Sequence, residues 1–172
     1  MSRSCTMSIR TRPAAAADLD AINRVVERAV MTWRLPDRVK RLSLPTYRYH
    51  PQDFEHMSLL VAVSPELGVT GVAALEKADP RDLPAERTGL LLHGLFVEPD
   101  HQRRGIGSRL VNAALELVRA KGLDGLLVKA QPDAVEFFHA QGMRHLPVRD
   151  HERDYPHRFW MDAADSLPSD RL

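Results

Sequence analysis

One stretch of this 172-residue chain constrains its fold more than any other. Leu95-Phe96-Val97 ends an apolar run, and Glu98-Pro99-Asp100 stops it. His101-Gln102-Arg103-Arg104-Gly105-Ile106-Gly107-Ser108 follows, after which Ile106, Leu110, Ala114, Leu117 and Val118 recur at helical spacing. The pattern predicts a strand, a tight basic loop with two glycines, and a helix N-terminus. Backbone N–H groups at a helix start are unpaired and lie at the positive end of the dipole, so this geometry suits phosphate. Glycine at 105 and 107 admits positive φ and lets an anion approach the backbone. His101, Arg103, Arg104 and Arg109 add local positive charge. A glycine-relieved corner without a ligand has the same spacing. A dinucleotide fingerprint needs a third glycine where Leu110 stands, and a Walker loop needs Gly-Lys-Ser/Thr, which is absent.

That local charge is invisible in the total. Lys and Arg number 24 against 23 Asp and Glu, a net charge of +1. This balance disfavours a generally basic binder of nucleic acid or of an anionic membrane. No run approaches the ~18 apolar residues of a membrane span. A single cysteine, Cys5, forbids an intramolecular disulfide, reads as inert, and makes a reducing, cytoplasmic setting the simpler expectation. Arg3, Arg10 and Arg12 precede the first acid, Asp18, yet Ile9 to Arg12 reads better as a first strand than as part of a transit segment. The eight histidines show no metal-ligand spacing on a shared face, so no metal is expected.

Along the chain, Asp18 begins a helix whose face is Leu19, Ile22, Val26, Ala29 or Val30, and Trp33. Residues 36 to 57 read as a loop with at most a short helix. Ser58 to Ser64 and Val69 to Glu76 form a hairpin around Gly68, and Gly89 to Val97 is a strand. The long helix ends at Lys121-Gly122. Leu126 to Ala130 is a strand, Pro132-Asp133 open a helix that Gly142 closes, and two short strands lie near Met143 to Leu146 and Tyr155 to Met161. The last run lines an acceptor site or a homodimer contact; the sequence does not choose. No linker or repeat divides the chain, which reads as one α+β or α/β domain over residues 9–161, with a flexible N-terminus at 1–8 and a tail at 162–172.

Gln102-Arg103-Arg104-Gly105-Ile106-Gly107 resembles the Gln/Arg-x-x-Gly-x-Gly/Ala pyrophosphate loop of the GCN5-related N-acetyltransferases. Ile9-Arg10 to Pro13 with Asp18 is similar to that family's first strand and helix, and Ala134 to Met143, with Phe137-Phe138, to its late Ala-x-x-Phe-Tyr-x-x-x-Gly-Phe segment. The resemblance implies a mixed, mostly antiparallel sheet of about six to seven strands flanked by helices, with splayed strands admitting acetyl-CoA by strand-like pairing. Leu95, Phe96 and Val97 would then bond pantetheine through their backbone. Gln102, Arg103, Arg104, Gly105, Gly107 and Ser108 would hold the pyrophosphate, with Arg109 as a further candidate. Gln131 stands where many members have a cofactor-contacting Asn.

The resemblance further implies attack of a neutral amine on the thioester, with a strand N–H polarising the carbonyl. His93 is the candidate base, assigned to one strand face with Leu91, Leu95 and Val97; an unperturbed imidazole titrates near ~6.5. A silent structural histidine is the alternative, and a bulge would reverse the assumed parity. The usual tyrosine acid is replaced by Phe138, which cannot donate a proton; Tyr47, Tyr49 and Tyr155 are the substitutes to place. Trp33, Arg34 and Tyr49, with Tyr47 and His50, fall in the segment that shapes the acceptor pocket in the family, and an arginine there suits an acceptor carrying a carboxylate or phosphate. The expected activity is acetyl transfer to a small-molecule amine. A protein lysine or N-terminus as acceptor, and a non-catalytic acyl-CoA-binding module, stay open.

Overall fold

The computed structural model describes residues 8–165. Cys5 and the expectations for residues 1–7 and 166–172 lie outside the described residues. Among the described residues seven strands form one sheet in the order β1-β2-β3-β4-β5-β7-β6. They are β1 (Arg10–Pro13), β2 (Ser58–Ser64), β3 (Gly68–Lys77), β4 (Gly89–Val97), β5 (Gly125–Lys129), β6 (Arg144–His145) and β7 (Arg158–Asp162). Every neighbouring pair is antiparallel except β4 with β5.

Helix α1 (Leu19–Met31) buries Ile22, Val25, Val26, Ala29 and Val30 on one sheet face, against Leu59, Val61, Val72, Ala74 and Phe96. Its start is tied backwards. The Asp18 carboxylate accepts from the Ala15 N–H at 2.7 Å and from both terminal nitrogens of Arg12 at 2.7 and 3.0 Å, fastening β1 to the helix. Trp33 lies past the helix in a turn and is half-buried, so it does not complete the helical stripe.

The segment 36–57, expected as a loop, holds α2 (Asp37–Tyr47) and the single turn α3 (Asp53–His56). Lys40 explains much of α2. Its buried ammonium donates to the Met31 carbonyl at the end of α1 at 2.9 Å and pairs with Asp37 at 3.0 Å. A cation at a helix C-terminus opposes the dipole and satisfies an orphan carbonyl. Pro45 sits in the last turn, where it removes a single backbone bond.

The other sheet face is covered by α4 (Ile106–Ala120), whose Ile106, Leu110, Val111, Ala114, Leu115 and Val118 pack on Ala73, Leu75, Leu90, Leu92, Leu126 and Val128. Short helix α5 (Val135–Ala140) adds Phe138 to the same core. In the Tyr155 to Met161 run, Phe159, Trp160 and Met161 are buried within a strand held between β5 and β6. That burial removes them from both roles left open, acceptor contact and subunit contact. Ala163 N–H donates to Asp124 O at 2.8 Å, so the chain beyond β7 is fastened to the body as well.

Candidate active site

The site begins where β4 and β5 part. Their parallel pairing covers only Gly89–Leu92 against Gly125–Val128. Beyond it β4 stays paired to β3 up to Val97, and β5 stays paired to β7 through Lys129. The facing edges, residues 93–97 and 129–130, are left open to each other. Into this splay runs a cleft of about 1300 Å³.

One end of the cleft is the basic loop. Arg103 adopts φ +64° and Gly105 φ +79°, and Gly105 caps α4. Backbone that alternates into the left-handed region turns successive N–H groups toward a common point, a nest for an anion. The first helical bond runs from Arg109 N–H to Gly105 O at 3.0 Å, so the N–H groups of Ile106, Gly107 and Ser108 have no acceptor within the helix. Gly107 differs from expectation: its φ is not positive, and its missing side chain makes room for the Phe137 ring, 3.1 Å from where a Cβ would stand. Arg103 and Arg104 are exposed and make no ion pair among the described residues, so their charge faces the cleft uncompensated. Arg109 is spent elsewhere, donating to Ile9 O at 3.3 Å, and lies outside the cleft lining. Arg28 of α1 braces the loop from behind, through Glu98 at 2.5 Å and Asp100 at 2.9 Å.

Leu95, Phe96, Val97, Gln102, Gly105, Gly107, Ser108, Gln131 and Phe138 all line the cleft. Phe138 is buried, edge-on to Phe137 at 5.0 Å and tilted against Phe159 at 6.1 Å. Its position holds no proton donor.

His93 also lines the cleft and is exposed, but not with the neighbours assigned to it. Leu75 faces Leu92 and Ala74 faces Gly94, which leaves His93 as the extra residue of a bulge. Side-chain parity therefore flips. Leu90 and Leu92 join the α4-side core before the bulge, Leu95 and Val97 join it afterwards, and Leu91 packs with Trp160 on the opposite face. The shared face of Leu91, His93, Leu95 and Val97 does not exist.

At the far end, Trp33 packs edge-on against Tyr47 at 5.0 Å, and Tyr47 against Phe96 at 6.4 Å. Tyr49 is buried, and its backbone is clamped by Asn23, which accepts from Tyr49 N–H at 2.8 Å and donates to Tyr49 O at 2.9 Å. Burial raises the Tyr49 phenol well above its ordinary value, with the Asp53 and Glu76 carboxylates adding to the effect. Arg34 is exposed and outside the cleft lining, and Tyr155 is outside it too. Sequence reasoning missed Arg48, Asp53 and Met57 at this end, and nothing in their spacing marks them. Gly94 carried a signal that went unread: a lone glycine within a strand marks a bulge or a close approach.

Among the described residues, no group of three His, Cys, Asp or Glu is placed to hold a metal ion, and no helix is long and apolar enough to cross a membrane.

A comparison with curated proteins finds no match in sequence. Solved structures do match in fold. A GNAT family acetyltransferase from Brucella melitensis in complex with acetyl-CoA superposes with a TM-score of 0.63 at 17% identity, covering 94% of this chain and 92% of its own. The PaiA N-acetyltransferase from Thermoplasma acidophilum, in complex with coenzyme A, gives 0.66 at 16% identity over 91% and 98%. An N-acetyltransferase from Staphylococcus aureus Mu50 gives 0.61 at 17% over 91% and 99%. At such identities the likeness speaks for the fold. A sequence model describing the acetyltransferase (GNAT) family matches residues 27–143, from α1 to the end of α5 and the glycine turn beyond it. The chain belongs to the acetyltransferase (GNAT) family.

Proposed function

We propose that this protein transfers the acetyl group of acetyl-CoA to the amine of a small molecule. The observation that carries the reading is the continuity of one cleft, from the cationic nest at Arg103–Gly105 through the β4–β5 splay to the aromatic end at Trp33, Tyr47 and Tyr49. The residues fit acetyl-CoA in kind: a nest, three free helix amides and two unpaired arginines at one end, open strand edges beside it. Two of the similar structures hold acetyl-CoA or coenzyme A.

Acetyl-CoA supplies an activated acyl group as its thioester. The chain's residues do the rest. The amides of residues 105–108, with Arg103 and Arg104, hold the diphosphate, and the open edge at Leu95–Val97 pairs with the pantetheine amides. The side chains of Gln131 and Phe138 flank that arm. A strand N–H fixed before reaction polarises the carbonyl. The bulge turns His93 out of the regular ladder into the cleft, and its imidazole takes the proton of the attacking amine, directly or through water. An aromatic-walled end of this kind favours a compact acceptor with an apolar body, such as an amino acid, metabolite or xenobiotic.

Thiol release from acetyl-CoA, followed over a panel of small amines and lysine peptides, tests the reading. Amine-dependent release with a matching N-acetyl product is expected for small acceptors. Tight cofactor binding with no turnover on any acceptor overturns it in favour of a binding module, and turnover on peptides alone overturns the acceptor class.

A further inference from the structure

The late tyrosine position is filled by Phe138, yet the cleft is not without a phenol. Tyr49 comes from the other side of the sheet, from the turn between α2 and α3, and reaches β4 where it bulges. A Cβ built on Gly94 would clash with the Tyr49 hydroxyl and would stand 2.9 Å from the Phe96 ring. The hydroxyl therefore rests directly over the backbone of residue 94, beside the extra residue His93 and at the start of the open strand edge. Nothing else about Tyr49 needs that hydroxyl. Its backbone is fixed by Asn23, its ring lies in the core with Val30, Phe96 and Leu59, and its hydroxyl makes no hydrogen bond to another described residue.

We propose that Tyr49 is a catalytic residue, whose hydroxyl donates a hydrogen bond to the negative charge that develops on the reacting acyl group. This rests on the acetyl-transfer reading. In the step it serves, the amine nitrogen forms a bond to the carbonyl carbon and the carbonyl electron pair moves to oxygen. That pair then returns, the carbon–sulfur bond breaks, and its electrons leave on the thiolate. The amine proton passes to His93 or water, and the thiolate takes a proton from solvent. Tyr49 transfers no proton in this scheme; it stabilises charge. A buried phenol is suited to that, because burial and the neighbouring carboxylates Asp53 of α3 and Glu76 of β3 keep it protonated. The cleft lining also holds the titratable groups Tyr47, Arg48, His50 and His93.

Tyr49→Phe keeps the ring and the Asn23 clamp, so it keeps the fold. Removing a donor of this type lowers kcat by about 100-fold. The expectation is a loss of that order in kcat with both KM values within about twofold and an unchanged melting temperature. Gly94→Ala displaces the hydroxyl through its new methyl group, so it lowers kcat in the wild type. In the Tyr49→Phe background it adds only what its contact with the Phe96 ring costs, while the split of kcat from KM in Tyr49→Phe separates catalysis from a structural role. Unchanged kcat in Tyr49→Phe overturns the proposal. So does a loss confined to the acceptor KM, which makes Tyr49 a binding contact, or additive effects of the two substitutions. Should the wild type itself turn over no amine, it is the acetyl-transfer reading that fails, so the two failures are distinguishable.

Discussion

Replacing Gly105 with valine tests the nest against a simple corner. Gly105 holds φ +79° at the cap of α4. An L-residue in the left-handed region costs about 1–2 kcal/mol, and a β-branched one more. The backbone relieves that strain by turning residue 105 to negative φ, which swings the amides on either side away from their common focus. A charge-assisted hydrogen bond contributes about 1.5–3 kcal/mol. Losing one to two of them costs about 1.5–6 kcal/mol, a fall of roughly tenfold or more in coenzyme A affinity. Calorimetric titration with coenzyme A reads this directly. Two controls isolate the cause. Gly105→Asn tolerates the left-handed conformation and retains most of the affinity. Acetyl-pantetheine, which lacks the diphosphate, is used by Gly105→Val as well as by the wild type. Unchanged coenzyme A affinity in Gly105→Val, or an equal loss with acetyl-pantetheine, refutes the phosphate nest.

Three further outcomes follow from the geometry. His93→Ala slows turnover by about 10²-fold or more where the acceptor is an ammonium ion, and the deficit narrows as pH rises toward the amine's own pKa; a ratio to wild type that stays flat with pH removes His93 as the base. Arg34→Ala leaves the acceptor KM within about twofold, because Arg34 stands outside the cleft lining; a tenfold rise, about 1.4 kcal/mol, contradicts that placement. Asp18→Asn loosens the β1–α1 tie. The Arg12 hydrogen bonds hold the Asp18 carboxyl below its ordinary value, so its contribution is complete above about pH 4 and is lost as pH falls through the depressed value. Arg12 is partly exposed, and after screening the tie contributes about 1 kcal/mol, so the two melting temperatures differ at pH 7 and converge in acid. A gap that persists unchanged in acid contradicts the assignment.

Much of the fold was legible because its elements bury one face. Ser58–Ser64 and Gly89–Val97 fall where apolar runs end at turn residues, and α4 carries its stripe from Ile106 to Val118 before Gly122 at φ +66°. Helix α2 was not legible, for a physical reason. Of its apolar side chains, Val39 and Leu42, with Leu35 before it, are exposed, which breaks the inward stripe that Leu44 and Tyr47 would otherwise continue. What holds α2 is the Lys40 ammonium on the end of α1 together with Leu44 and Tyr47 packed on the α1-side core, tertiary contacts that leave no periodic trace. The site divides in the same way. The nest was readable because its glycines and arginines are consecutive. The aromatic end assembles Trp33, Tyr47, Tyr49, Asp53 and Phe96 from separate elements, and only the fold brings them together. His93 shows both sides: its place in the cleft was legible, while its neighbours were not, because one bulge residue exchanges the two faces of β4.

The loop, the splay and the aromatic end are proposed to form one acetyl-transfer cleft. Backbone amide shifts measured while coenzyme A and then the best amine acceptor are titrated test it most directly. Coenzyme A is expected to perturb residues 95–97, 102–108 and 131, and the amine then to perturb residues 33, 47, 49 and 93. Coenzyme A shifts confined to other surfaces, or an amine response away from the aromatic end, would contradict it.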